Sequence, residues 1–244
     1  MMEQQVNLAP EKLVRSGLRH LGWLAGYPRS GAALVRTILA NCFGHYTCSI
    51  YREHILGDAY IHAVNLLPVD GVISLKDLES AAVKQGLLTF KTHELADDTS
   101  ACIPTIVIVR DGRIALESLK AFYAERNDHQ YTMESLIRGE HPWGSWSAWI
   151  RSWAMYGSAT ALWLRYEDIM DDVPGTVDRI ARWTGYTPVS HEIPPFESMH
   201  ASEPTIFRKC ATSGNGEMTI EEDRMFWAIH GGTMEMLGYR RGTL

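Results

Sequence analysis

The sequence predicts an α/β fold: a single domain in which a central parallel sheet is flanked by helices. Three observations predict it. The apolar run Leu21-Gly22-Trp23-Leu24-Ala25-Gly26 enters a turn carrying Pro28 and Gly31, and helical spacing resumes at once through Leu34, Val35, Ile38 and Leu39. Ile103-Pro104-Thr105-Ile106-Val107-Ile108-Val109 is β-branched almost throughout, the pattern of a strand buried on both faces of a parallel sheet. Strand-length apolar runs at 87–93 and 161–168 alternate with helically spaced segments, as parallel crossovers require. At 244 residues the chain is long enough for one sizeable core and sits near the upper end of single-domain lengths. Residues 21–244 read as that domain, and 1–20 as an irregular leader with helical character from Glu11 to Leu18.

The first strand feeds a P-loop-like turn. Gly26 and Gly31 hold the glycine spacing of the nucleoside-triphosphate loop GxxxxGK[ST], but Ala32 and Ala33 stand where its lysine and magnesium-binding hydroxyl belong. Backbone N–H groups of such a turn and of the following helix start converge on an anion. Without the lysine and the hydroxyl, the turn has lost the usual means of binding Mg-ATP; its cation has moved upstream, to Arg29. The glycine spacing alone is equally what a tight strand-to-helix turn requires.

Composition sets the outer bounds. Hydrophobic residues make up 45% and charged residues 21%, an ordinary globular balance. A net charge of −6 argues against a nucleic-acid surface while leaving room for a local basic pocket. Cys42, Cys48, Cys102 and Cys210 show neither CxxC pairing nor zinc spacing, so they read as idle thiols of a reducing compartment, and no metal is expected. Residues 1–10 lack a signal pattern and no run approaches the roughly 18 apolar residues of a membrane span. A cytoplasmic enzyme with no membrane partner is the expectation.

The remaining elements follow in order. Helical spacing through Ile55, Leu56, Tyr60, Ile61, Val64 and Leu67 predicts a helix from 51 to Pro68, and a second is expected at 75–84. His54 and His62 on the first read as surface or packing histidines, since nothing at metal spacing joins them. The strand at 87–93 ends in Lys91-Thr92-His93, and residues two apart on an extended chain point to the same side. That end is where open α/β sheets bind ligands. The strand at 103–109 runs into Arg110-Asp111-Gly112-Arg113 and a helix from about 114 to 124. Residues 127–142 read as an irregular polar insertion, broken by Asn127, Gly139 and Pro142. Trp146, Trp149 and Trp153 form an i, i+3, i+7 stripe, for which core packing is the plain reading. The strand at 161–168 leads to an acidic helix start, Pro174 to Gly185 bound an amphipathic helix, and a last helix spans about 220–237. Before it, Phe207-Arg208-Lys209 places two cations ahead of a polar loop at 212–216, where ordinary surface charge is also common.

Together these motifs resemble the sulfotransferases that use 3′-phosphoadenosine 5′-phosphosulfate (PAPS). Tyr27-Pro28-Arg29-Ser30-Gly31 looks like the family's YPKSGTTW loop, Lys91-Thr92-His93 like its KTH element, and Arg110 with Ser118 eight residues on like RxPxDxxxS. The segment from Gly144 to Trp153 resembles GSWxxHxxxW, Tyr166-Glu167-Asp168 resembles YEDL, and Arg208-Lys209 resembles RKG. The resemblance covers residues 21 to 239 and implies roles. His93 would be general base, with Lys91 and Arg29 stabilising charge on the transferring and leaving groups. Arg29, Ser30, Gly31, Ala32, Ala33 and Leu34 would hold the 5′-phosphosulfate; Arg110, Ser118, Arg208 and Lys209 the 3′-phosphate; and Tyr166 the adenine. Trp149 stands at the family's acceptor-pocket histidine and would wall that pocket.

Departures accompany the match. Ala32, Ala33 and Leu34 replace two threonines and a tryptophan, Ile114 replaces an aspartate, and Cys210 replaces the glycine after the paired cations. The implied activity is transfer of a sulfuryl group from PAPS to a hydroxyl or amine of a small-molecule acceptor, releasing 3′-phosphoadenosine 5′-phosphate (PAP), with no metal. The rivals are a P-loop nucleotide kinase and a catalytically degenerate sulfotransferase-like binding protein.

Overall fold

The structure, a computed structural model, describes residues 21–51, 58–64, 66, 80, 88–98, 100, 103–156, 161–208 and 218–241. The chain runs β1 (Leu21–Gly26), α1 (Ala32–Phe43), β2 (Thr47–Ser49), α2 (Asp58–Ala63), β3 (Leu88–Thr92), β4 (Thr105–Val109) and α3 (Gly112–Ala124). It continues with α4 (Met133–Arg138), α5 (Trp146–Tyr156), β5 (Ala161–Arg165), α6 (Tyr166–Asp171), α7 (Val173–Thr184), α8 (Phe196–Ser202) and α9 (Ile220–Met236). The five strands lie in the order β2-β3-β1-β4-β5, every pairing parallel. All carboxyl ends therefore meet at one edge, with β1 between β3 and β4.

The period of two along each strand distributes side chains to two cores. Trp23, Ala25, Phe90, Val107 and Val109 join Trp146, Trp149, Ile150 and Trp153 of α5 and Phe226 of α9 on one face. On the other, Leu24, Ile106, Ile108 and Leu164 meet Val35, Ile38 and Leu39 of α1 and Val177 and Ile180 of α7. A sheet covered on both faces needs apolar residues at successive positions, which is why 105–109 carries almost no polar side chain.

Two expectations change. The helix expected from 51 to 68 is observed at Asp58–Ala63, and Tyr51 lies outside it, bridging at the end of the β2 segment. The insertion expected at 127–142 contains α4: Met133, Leu136 and Ile137 form a buried face, the Thr132 hydroxyl accepts from Ser135 N, and Gly139 ends the helix at φ 76. Six residues were too few for periodicity to register among the flanking breakers. Strand β2 and helix α8 were not anticipated. The leader at 1–20, and the helix expected at 75–84 apart from Ser80, lie outside the described residues.

Buried His230 of α9 fastens α4 and α5. Its Nε2 lies 2.8 Å from the carbonyl of Ile137. A carbonyl only accepts, so the hydrogen sits on Nε2, and Nδ1 accepts from the Ser147 hydroxyl at 2.5 Å. Burial pushes the His230 pKa down, with the nearby Arg151 adding to the effect against the Ile137 bond. A folded-state value below the unfolded 6.5 gives a contribution that is complete above that pH and is lost as pH falls below it. The urea midpoint should therefore drop between about pH 7 and about pH 5, and drop less in His230→Gln. Equal drops in the two proteins would remove His230 from the acid response.

Candidate active site

The turn after β1 is built from backbone. Ser30 N donates to Tyr27 O at 3.0 Å, Arg29 takes φ 68, and Gly31 takes φ 106. A Cβ on Gly31 would stand 2.5 Å from Cδ2 of Tyr166. Glycine is required there twice over, by its left-handed backbone and by the tyrosine ring pressed on it. No side chain caps α1, so the first-turn N–H groups remain available to an anion. The Ser30 hydroxyl is buried beside them with no hydrogen-bond partner among the described residues.

Arg110 closes this turn from the end of β4. Its Nη1 donates to Arg29 O at 3.0 Å and its guanidinium lies 4.1 Å over the Tyr166 ring. Nε and Nη2 are buried without a hydrogen-bond partner among the described residues. Two unmatched donors on a buried cation are costly in a resting structure, and an anionic oxygen at that place would satisfy them. The next residues are fixed from the far end of the chain: Asp111 N donates to Glu167 Oε1 at 3.0 Å, and the Tyr239 hydroxyl donates to Glu167 Oε2 at 2.8 Å. Burial, then the Glu167 charge, push the Tyr239 phenol far up, so this bond keeps its proton.

Arg29 turns toward α3. Nε donates to Ser118 Oγ at 3.1 Å, and Nη2 to the carbonyls of Thr205 at 3.0 Å and Ile206 at 3.3 Å. Two guanidinium groups lie near the Phe122 ring, Arg29 at 5.1 Å and Arg126 at 3.6 Å from its centre. Arg208 pairs with Glu125 at 3.2 Å. The structure thus brings Arg29 and Ser118 together where α3 meets the turn at 203–208, with Arg208 at the end of α3 and Arg110 bonded to the Arg29 backbone. Lys209 lies outside the described residues.

The second half of the site lies one strand away. His93 follows β3, and its Nδ1 lies 2.5 Å from Gly26 O. The carbonyl accepts, so Nδ1 carries the hydrogen and Nε2 is the basic nitrogen of the neutral ring. The imidazole stacks on Tyr51 at 5.3 Å and meets Trp143 edge-on at 5.2 Å. Tyr51 also accepts from His93 N at 2.7 Å, and Lys91 Nζ stands 5.5 Å over the Tyr51 ring. Lys91 and His93 therefore share one neighbour, as their i, i+2 spacing predicts.

Trp149 packs in the core, the plain reading of its helical stripe. It is fully buried, and its Nε1 donates to the carbonyls of His93 at 2.9 Å and Glu94 at 3.0 Å. Trp153 Nε1 donates to Glu94 O at 3.1 Å. Both indoles lie beneath the His93 turn and hold its backbone; the tryptophan against the imidazole itself is Trp143. Sequence reading missed Trp143 and Tyr51. The first stands three residues ahead of the tryptophan stripe, and the second had been assigned to a helix.

No cluster of metal-ligating side chains occurs among the described residues, and no described helix is long and apolar enough to cross a membrane. A parallel sheet of this order with a glycine turn after its central strand is a P-loop-like α/β fold. The sulfotransferase domain matches residues 22–203, and the chain belongs to that family. No curated protein matches the sequence significantly. Among solved structures the fold resembles the mouse sulfotransferase SULT7A1 complexed with PAP, at a TM-score of 0.62 and 16% identity over 88% of this chain and 84% of that one. It resembles a retinol dehydratase in complex with retinol and PAP, at a TM-score of 0.59 and 15% identity over 95% and 86%. A sulfotransferase from Alicyclobacillus acidocaldarius follows at 0.53 and 10% over 91% and 97%.

The contact at Gly31 is open to test. Gly31→Ala should cost about 1–3 kcal/mol of stability by urea unfolding, from the left-handed backbone and the displaced Tyr166 ring. Wild-type stability would show that the ring yields freely.

Proposed function

We propose that this protein transfers a sulfuryl group from PAPS to a hydroxyl or amine of a small-molecule acceptor, with His93 as general base. One observation carries the reading: the imidazole of His93 is bonded to the carbonyl of Gly26, the residue that opens the anion-binding turn. A base with Nε2 as its acceptor nitrogen thus stands at the mouth of a site for a phosphate-like group. When bound, PAPS supplies the electrophilic sulfur and a phosphate leaving group.

The residues present fit that donor. Ser30, Gly31 and the uncapped start of α1 (Ala32, Ala33, Leu34) suit the 5′-phosphosulfate. The unmatched donors of Arg110, with Ser118, Arg208 and Lys209, suit a separate 3′-phosphate, and Tyr166 beside Arg110 suits the adenine. PAP in the mouse sulfotransferase and in the retinol dehydratase, and retinol in the latter, support the donor class and a small acceptor. Androsterone, bound with PAP in another retinol dehydratase structure, points to the same acceptor class.

His93 would take the acceptor's proton at Nε2 while the Gly26 carbonyl keeps the ring oriented through Nδ1. Lys91 would stabilise charge on the transferring group. Arg29 stays charged at any working pH, so its contribution is electrostatic and not proton donation. Its present bonds to Ser118, Thr205 and Ile206 must give way for it to act at the leaving phosphate. Kinase chemistry is disfavoured by Ala32 and Ala33. A cytoplasmic location and the absence of nucleic-acid partners belong to the same proposal, on the sequence grounds already given.

Two measurements test it. His93→Ala should lose roughly 10² to 10⁴ in turnover, the range for removing a general base, while PAP affinity stays close to wild type. Near wild-type turnover would remove His93 from the mechanism. In calorimetry with EDTA present, PAP should bind far better than AMP or ADP, since charge-assisted contacts to the 3′-phosphate contribute about 1.5–3 kcal/mol each. Equal affinities, or binding only with magnesium, would favour a kinase.

A further inference from the structure

The segment between α4 and α5 touches both halves of the site. The Tyr27 hydroxyl has one hydrogen and donates it to Gly144 O at 3.0 Å. Its 2.9 Å contact with His141 Nε2 must then be donated by the imidazole. That leaves Nδ1 as acceptor, and the N–H of Trp143 points to it at 3.4 Å. Burial lowers the His141 pKa to about 4, so the ring stays neutral and keeps this tautomer near neutral pH. Tyr131 packs edge-on against the same imidazole at 6.2 Å.

The two ends of this relay lie on different sides of the reaction. Tyr27 is buried in the donor turn, directly after Gly26, and its ring meets Trp149 edge-on at 6.4 Å. Trp143 is the partly exposed ring against His93 at 5.2 Å and Tyr51 at 5.4 Å. The geometry points to His141 as a positioning residue: one neutral imidazole locks the donor turn, through Tyr27, to the aromatic wall beside the base, through Trp143. Its use in sulfuryl transfer rests on the function proposed above. His141 touches no reacting atom; it sets the relative position of the groups that do.

The two ring nitrogens can be replaced separately. In His141→Gln the amide nitrogen reaches the place of Nε2 and retains the Tyr27 bond, whereas in His141→Asn the amide oxygen stands near Nδ1 and retains the bond to Trp143 N. Hydrogen exchange on the ligand-free full chain reads the link without any activity. His141→Ala should speed exchange in both 26–31 and 143–146 by roughly tenfold, the size of one net hydrogen bond. Glutamine should restore protection at 26–31, and asparagine at 143–146. Tyr27→Phe, which deletes only the phenolic oxygen, should loosen 143–146 even if His141→Ala fails to fold.

Steady-state kinetics supply the functional split. Glutamine should leave the donor KM near wild type and raise the acceptor KM, and asparagine should do the reverse. Loosening confined to the 139–145 segment, or glutamine and asparagine variants both indistinguishable from alanine, would overturn the role. A wild-type protein that transfers sulfate to no acceptor would sink the transferase reading, while the exchange pattern would still decide the His141 link.

Discussion

The bond between His93 Nδ1 and the carbonyl of Gly26 is the constraint on which the site depends. It joins the ends of two adjacent parallel strands, so the sheet register that pairs Leu24 with Lys91 also sets the distance from the His93 imidazole to the glycine turn. It selects the imidazole tautomer as well. His93 is the first residue past β3, so the strand ends impose both conditions before any ligand arrives. The buried indoles of Trp149 and Trp153 serve the same end from below, holding the His93 and Glu94 carbonyls that a short turn would otherwise leave unmatched.

Charge in the anion turn is arranged differently from a nucleotide kinase. The lysine of the glycine loop is absent, and the arginines gather where α3 meets the 203–208 turn. Arginine suits this crowding because its planar group can stack and donate at once. Two of them lie near the Phe122 ring, and Arg110 lies over Tyr166 while donating to the backbone.

Much of the fold was legible in the sequence because its signals are local. The β-branched run at 105–109, the glycine turn and the stop at Gly185 each follow from a few neighbouring residues. What escaped notice was short or non-local. Three residues of β2 and six of α4 carry too little periodicity to register. Lys91, His93, Arg110, Ser118 and Tyr166 were legible as candidates through their place at strand ends and in motifs. The direction of the Arg29 side chain was not, since it is decided by Ser118 and by carbonyls more than a hundred positions away. Trp149 shows the same limit: its helical stripe was readable, but not that its N–H serves the turn carrying His93.

The path from Tyr239 through Glu167 to the amide of Asp111 has a consequence for how the chain is handled. The residue following Arg110 is tied to a phenol beyond the last helix, so Arg110 takes its bearings partly from Tyr239. Arg165, stacked 4.4 Å over the same phenol, adds the edge strand to that bearing. Changes to the chain that displace Tyr239 therefore act on the end of β4 and the turn beside it, not on neutral ground.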